Sequence, residues 1–396
     1  MKVAVCTNFI SPYRRPVFRA LAQRTGADVR VFVSTTMESD RDWAVQGDRG
    51  EPYTVERVAG VRRAWTKRTD GPCGFRQRLD RHFPLGLPGA LRRYGPDVVI
   101  SGELGPRTIA AKAYGAMTGT PVIPWAYPPR AQASNTGPTA SVQRFMLRRS
   151  PCIVGMGSQA RATLRDLGAR DDSIVDAPNS ADTQTIAARL GSAEHRAEVR
   201  RIRVEQDGRH IAAVVGRLVP MKGIETLVDA WNGLDASIKQ TWRLVFVGDG
   251  VLRSYIESNR VDDSIHITGH VDPSEVPDWF AAADLHVFAS LGDPWGLVVN
   301  EAMQCGTPTL CSSLAGCCDD LIRHAANGLR FTPSPRRDHM AAELRAALTR
   351  PDLDQLGAAA RDDIAGCTPE RMAECMASAI ERVRDTPGTN PRRISA

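Results

Sequence analysis

The chain contains no apolar run approaching the roughly 18 to 20 residues that a membrane-crossing helix requires, although hydrophobic residues make up 42% of its 396 residues. Its start, Met1-Lys2-Val3-Ala4-Val5-Cys6, is strand-like and lacks the apolar stretch and cleavage site of a secretory signal. Paired cysteine spacing is also missing. The nine cysteines are scattered, and the cluster Cys305, Cys311, Cys317 and Cys318 does not have the gaps of zinc-ligand pairs. No repeat of short period is present. These absences argue against a spanning protein, a disulfide scaffold and a zinc site. They lead us to expect a soluble cytoplasmic protein whose thiols are free and packed as small apolar residues.

What the chain does have is length, charge and alternation. At 396 residues it exceeds a single ordinary core and fits two domains. Apolar strand-like runs alternate with helical stretches. Val3 to Cys6, Val29 to Val33, Asp97 to Ile100, Pro121 to Pro124, Cys152 to Gly155 and Ile174 to Ala177 fill the first half. Ile211 to Gly216, Arg243 to Gly248, Ile265 to Thr268, Asp284 to Phe288 and Thr309 to Cys311 fill the second. Apolar strands separated by helices imply parallel sheets covered on both faces, so the expected fold class is α/β with two doubly wound, Rossmann-like domains. We expect the first over residues 1–182, an Arg-rich linker over 183–208, the second domain over 209–375, and a helix end with a disordered tail over 376–396. Ligands of open parallel sheets bind beyond the carboxyl ends of the strands, and two facing domains would form a cleft there.

Net charge is +6, unevenly spread. Residues 57–93 hold ten Lys/Arg against Asp70 and Asp80, a local balance of +8. Phe75, Leu79 and Phe83 recur at helical spacing among arginines, with Pro84 limiting the helix. Two readings stand: a basic amphipathic helix lying on an anionic membrane surface, or a solvated face with a few core anchors. No stacking or zinc motif accompanies the patch, which weighs against nucleic acid.

The second half carries the chemistry. Gly216 ends a strand, and Arg217 and Lys222 follow on the loop leading into a helix. A guanidinium fork and an ammonium point charge near a helix N-terminus suit phosphate; surface cations on an ordinary loop are the alternative. Gly248-Asp249-Gly250 ends a second strand, and Gly269-His270-Val271 a third, where backbone can approach a ligand. Asp293-Pro294-Trp295-Gly296-Leu297 forms a tight turn before a helix that holds Glu301. The helix's free N–H groups would face a diphosphate, Glu301 would accept from two ribose hydroxyls or else is an ordinary acid on the helix face, and Asp293 would accept from hydroxyls of a sugar.

These motifs, taken in order with Gly306-Thr307-Pro308, Leu314 to Ile322, Asn327-Gly328-Leu329, and in the first half Asn8 to Pro16, Gly157 to Ala160 and Ala177 to Asp182, resemble the retaining glycosyltransferases of family 4, with GT-B architecture, over roughly residues 1–375. The resemblance implies transfer of a sugar from a nucleotide sugar, with a UDP- or GDP-sugar as donor, to a lipid-linked or glycan acceptor in cell-surface polysaccharide or glycolipid synthesis. Arg217 and Lys222 would hold the diphosphate and stabilise the leaving group. No metal cofactor is implied, because the cations replace it, and Asp171-Asp172, Asp262-Asp263 and Asp319-Asp320 are not read as metal motifs. The family commonly has Glu where this chain has Asp293; aspartate shortens the reach by about 1.5 Å, and accommodation is expected. The family's glycine-rich N-terminal loop is absent, and Ser11 to Pro16 stands in its place, expected to face the acceptor. Glu103, after the strand Val98 to Ile100, is the candidate acceptor binder or base. The alternatives are transfer to a soluble natural product, a nucleotide-sugar 2-epimerase, and an inactive nucleotide-binding module.

Overall fold

The structure is a computed structural model that describes residues 1–35, 49–69, 73–126, 128 and 137–385, apart from the side chains of 77–79 and 337. The expected tail, 386–396, lies outside the described residues.

Buried apolar runs form most of the strands. In the first half these are β1 (Lys2–Thr7), β2 (Asp28–Val33), β3 (Tyr53–Arg57), β4 (Val61–Arg68), β5 (Arg76–Phe83), β6 (Val98–Gly102), β7 (Val122–Ala126), β8 (Ile153–Gly155) and β9 (Ile174–Asp176). In the second half they are β10 (His210–Val215), β11 (Trp242–Val247), β12 (Ile265–Gly269), β13 (Leu285–Phe288), β14 (Thr309–Ser312) and β15 (Leu329–Phe331). A seven-stranded sheet runs β3-β2-β1-β6-β7-β8-β9 and a six-stranded sheet runs β12-β11-β10-β13-β14-β15, with parallel pairing throughout. Strand order reverses between β1 and β6 in one sheet and between β10 and β13 in the other. Those two points are where such sheets hold ligands.

The chain divides into two compact units: Met1–Thr66, Arg78–Asp182 and the described part of Thr368–Ala396; and Lys67–Gln77 with Thr183–Cys367. Two expectations change here. Residues 183–208 are not an open linker but the helices Thr183–Leu190 and Ala193–Glu205. Buried Asp278 draws them into the second unit: its carboxylate accepts from the Arg189 guanidinium at 2.5 Å and meets His195 Nδ1 at 2.6 Å. The C-terminal helix Pro369–Asp385 belongs to the first unit. Met372, Met376, Ile380 and Val383 share one face and are fully buried in a core that also contains Val17, Phe18 and Leu21 of the helix Arg15–Thr25.

The basic stretch 57–93 is a third correction. It forms the two-stranded sheet β4-β5 and the short helix Leu87–Tyr94, not one amphipathic helix. A spacing of four positions keeps side chains on one face of a strand as well as of a helix, so Phe75, Leu79 and Phe83 did not discriminate. The alternation does: Arg81 is exposed, His82 buried and Phe83 exposed.

In the second unit the helix Ile224–Asn232 turns Ile224, Leu227, Val228 and Trp231 into the core, with the Trp231 indole N–H donating to Ser264 Oγ at 2.9 Å. Trp231→Ala removes the largest fully buried side chain and orphans Ser264. We predict a loss of about 3–5 kcal/mol in the stability of the second unit, read as a lower urea midpoint; an unchanged midpoint would contradict this packing.

Candidate functional site

The second sheet's reversal point brings two loops together. One follows β10, from Gly216 to Gly223. The other follows β13, from Ala289 to Gly296. The Met221 carbonyl accepts from both Leu291 N–H, at 2.8 Å, and Ser290 Oγ, at 3.1 Å. Gly223 makes the approach possible. It sits at φ 69°, and a Cβ there would lie 2.2 Å from the Ala289 carbonyl oxygen. The loops cannot separate without breaking these bonds, so residues 69 and 70 positions apart are fixed relative to each other.

The most consequential pair is Lys222 and Asp293. The ammonium Nζ lies 2.7 Å from Asp293 Oδ2, and the two side chains are 13% and 16% exposed. Lys222 also lies over the Phe288 ring, 4.6 Å from its centroid. The second Asp293 oxygen accepts from Trp295 N–H at 3.1 Å, and Asp293 N–H donates to Ser290 Oγ at 3.2 Å. Asp293, expected to orient a sugar, thus has both carboxylate oxygens engaged within the protein.

The helix Leu297–Gln304 starts at Gly296, whose φ of 100° and lack of Cβ let the Phe288 ring sit against the turn; a Cβ would meet that ring at 2.5 Å. Trp295 locks the first turn from inside, its indole N–H donating to Asn300 Oδ1 at 2.8 Å. Glu301 lies one turn into the helix. It keeps partial access to solvent and has no hydrogen bond to its carboxylate among the described residues. The surrounding protein pushes its pKa up to about 7, with the attraction of Lys222 opposing. The same ammonium acts on His286, which burial holds neutral with a pKa pushed down to about 3.

Lys222, Asp293, Glu301, Gly296 and Leu297 are therefore gathered in one place. Arg217 opens the loop after Gly216 and is half-buried. Gly248 joins the assembly through backbone, since Gly216 N–H donates to the Val247 carbonyl at 3.0 Å and Leu218 N–H to the Asp249 carbonyl at 2.9 Å. The Asp249 side chain is used locally: it accepts from Gly250 N–H at 2.7 Å and pairs with Arg253 at 3.0 Å, which hold its carboxyl below the usual range. Gly269 bridges to Gly248, and His270 and Val271 continue outward from it. Phe288 was not identified from sequence as part of this site; the signal available was an aromatic ending a strand eight residues before a turn glycine.

In the first unit, Glu103 stands at the reversal point of its own sheet, at the end of β6. It adopts φ 68°, rare for a side-chain-bearing residue. Asn8 Nδ2 donates to Glu103 Oε1 at 2.6 Å, and the buried Arg107 guanidinium lies 3.6 Å from Oε2 and donates to Asn8 Oδ1 and to the Gly102 carbonyl. The Glu103 side chain stays 51% exposed. Arg107, which fixes both neighbours, was not anticipated.

Five of these aspartates are in ion pairs: Asp171 with Arg161, Asp172 with Arg170, Asp262 with Lys239, Asp263 with Arg209, and Asp319 with Arg330. Among the described residues, no group of three or more His, Cys, Asp or Glu is placed to hold a metal ion. The nine cysteines are free.

With this geometry in hand, residues 195–363 match the family model described as glycosyl transferases group 1. The chain is similar to a 2-deoxystreptamine N-acetyl-D-glucosaminyltransferase of Streptomyces fradiae, 30% identical over 61% of this chain and 56% of the relative. It is also similar to an O-antigen chain mannosyltransferase of Escherichia coli, 31% identical over 26% of this chain and 28% of the relative. Across eight such curated relatives, the matched stretch spans 28% to 58% of the relative's length. The Anabaena protein HepE, solved in complex with UDP-glucose, superposes with a TM-score of 0.72 at 15% identity, covering 98% of this chain and 100% of that one. The fold is that of the GT-B glycosyltransferases.

The Glu301 carboxyl yields a stability prediction. Its folded pKa lies above the ordinary carboxylate value, so its ionised form is disfavoured in the folded state, and the cost grows as pH rises from about 4.5 to about 7 and is constant above that. Glu301→Gln is expected to be more stable than the parent protein above pH 7, with the difference closing below about pH 4.5, where both states are protonated. Thermal unfolding across this range measures it; a gap that does not change with pH would contradict the assignment.

Proposed function

We propose that this protein is a retaining glycosyltransferase that moves a sugar from a nucleoside-diphosphate sugar to an acceptor. The observation that carries the reading is the convergence of Lys222, the N-terminus of the helix Leu297–Gln304 and Glu301 at the reversal point of the second sheet. A diphosphate carries charge that an ammonium and exposed helix N–H groups can hold, and Arg217 adds a planar fork on the same loop. As the sugar–phosphate bond breaks, negative charge builds on the diphosphate. Cations already fixed in place stabilise it without reorganisation. Glu301 accepts from the ribose hydroxyls, and no metal is required in this scheme. The UDP-glucose held by the Anabaena protein of the same fold is compatible with a uridine donor.

For the acceptor we favour a lipid-linked or glycan molecule of the cell envelope, with the protein on the inner face of the plasma membrane. The E. coli relative acts, by its name, on an O-antigen chain. In addition, β4 is exposed along nearly its whole length, with Val61 58% exposed beside Arg62, Arg63, Lys67 and Arg68. A basic, partly apolar strand suits anionic lipid. No helix among the described residues is long and apolar enough to cross a membrane. The S. fradiae relative, named for a small aminocyclitol, supports a soluble acceptor as the second reading. Glu103, held at a strand end by Asn8 and Arg107, is proposed to meet the acceptor.

Purified protein incubated with UDP-, GDP- and ADP-sugars is expected to release one nucleotide slowly and to be stabilised by it. Arg217→Ala with Lys222→Ala should reduce that turnover by at least about a hundredfold, the scale of losing charge stabilisation at a leaving group; unchanged turnover would sink the site. Nucleotide affinity should fall as pH drops through 7 and Glu301 takes a proton, and Glu301→Gln should flatten that profile. Flotation with anionic vesicles at low salt, reversed at high salt, is expected for the envelope reading, and no association would end it.

A further inference from the structure

One face of β5 carries buried polar atoms that the described residues leave unsatisfied. Asp80 and His82 stand two positions apart and so share that face, while Arg81 turns the other way and lies over the Trp65 ring of β4, 5.4 Å from its centroid. His82 is 7% exposed, yet its Nε2 has no hydrogen-bond partner among the described residues. The same holds for Asp80 Oδ1, which lies 3.8 Å from Arg62 Nε, and for Nε of the buried Arg107. Buried polar atoms cost free energy until something satisfies them, and where the protein does not, water or a ligand does. The chain fixes this face near the carboxyl end of the first sheet. Gly86 N–H donates to the Ala59 carbonyl at 2.9 Å, and a Cβ on Gly60 would lie 2.5 Å from the Phe83 carbonyl oxygen. His82 thereby comes within range of the charges on Arg107, Glu103, Asp80 and Arg62. Burial first, and then Arg107, push its pKa down, so the ring is neutral at pH 7.

The unsatisfied atoms are of three kinds. Arg107 Nε donates, Asp80 Oδ1 accepts, and a neutral imidazole nitrogen does one or the other according to its tautomer. The charges around the ring balance, with Asp80 and Glu103 set against Arg62 and Arg107. A phosphate would bring acceptors only and would face two carboxylates. An ammonium would bring donors only and would face two guanidinium groups. A sugar hydroxyl donates and accepts at once, so neighbouring hydroxyls of one ring can satisfy all three atoms without adding charge. We infer that His82, together with Asp80 and Glu103, is a hydroxyl-binding residue of the acceptor site, and that the end of the acceptor presented there is a neutral sugar ring. This deepens the acceptor reading above and rests on it. The half-exposed Glu103 side chain is the side from which the sugar enters. Arg62, whose contact with Asp80 is longer than a hydrogen bond, is the neighbour that gives way.

The test uses the full chain with isotope-labelled histidine rings, followed by NMR in the absence of nucleotide. The probes are the methyl glycosides of glucose, galactose, mannose and N-acetylglucosamine, with a glucose phosphate and methyl glucosaminide as anionic and cationic counterparts, each taken to high millimolar concentration. At least one neutral glycoside is expected to shift the His82 ring resonance saturably. The charged sugars should bind about tenfold more weakly, the scale of one charge brought against a like charge at a protein surface. Glu103→Gln should weaken the glycoside about tenfold as well, the scale of a hydrogen bond to a charged group. His82→Phe, followed by calorimetry, should lose the glycoside, and His82→Gln, which again offers a donor and an acceptor, should recover part of the affinity; a purely structural role would show no such recovery. If His82→Phe does not fold, the parent titration and Glu103→Gln decide. No shift at His82 with any neutral glycoside would overturn the inference, as would tighter binding of the phosphate or the amine, or a shift that Glu103→Gln leaves unaltered. Glycosides that bind at His82 but receive no sugar when nucleotide sugars are added would strike the transfer reading instead.

Discussion

The donor chemistry proposed for this protein depends on one short contact: the loop after β10 is pinned against the turn after β13. Met221 accepts two hydrogen bonds from the second loop, Gly223 lies against the Ala289 carbonyl, and Lys222 reaches across to Asp293. Each bond is individually modest, of the order of 1 kcal/mol net. Together they convert two sequence-distant loops into one rigid rim at the carboxyl ends of a parallel sheet. The chemistry follows from that rim. A cation, a helix N-terminus and a carboxylate whose pKa is raised by burial face one another because backbone geometry leaves them no other arrangement.

Burial around this rim sets the electrostatics. Lys222 is close to Asp293, acts on Glu301 and His286, and rests on an aromatic face. In bulk water these interactions would be weak; with little solvent they are several times stronger. That also explains why Glu301 can sit beside a lysine and still have its carboxyl held up near neutrality: desolvation outweighs the single attraction.

Much of this was readable from residues alone. Short continuous apolar runs rich in β-branched residues, such as Ile211 to Val215, read as strands buried on both faces, and alternation with helices then implies parallel sheets. The positions of Lys222, Gly296 and Glu301 followed from strand ends and a turn glycine before a helix. What escaped was information carried by tertiary pairing. The helices of 183–208 were hidden by their arginines, although Ser192, which caps His195 N–H at 3.1 Å, was a local start signal. Their attachment depends on Asp278, more than eighty positions away. The strand pair β4 and β5 was misread because a four-residue spacing serves helix and strand alike. No sequence rule indicates that Glu103 takes positive φ, since Asn8 and Arg107 hold it there.

The most direct measurement is hydrogen–deuterium exchange of the intact protein with and without each nucleotide sugar. The account predicts that one donor protects backbone amides of 217–223 and 293–301 together, because both loops form a single rim around the diphosphate. Protection of one loop without the other, or none with any donor, would contradict it.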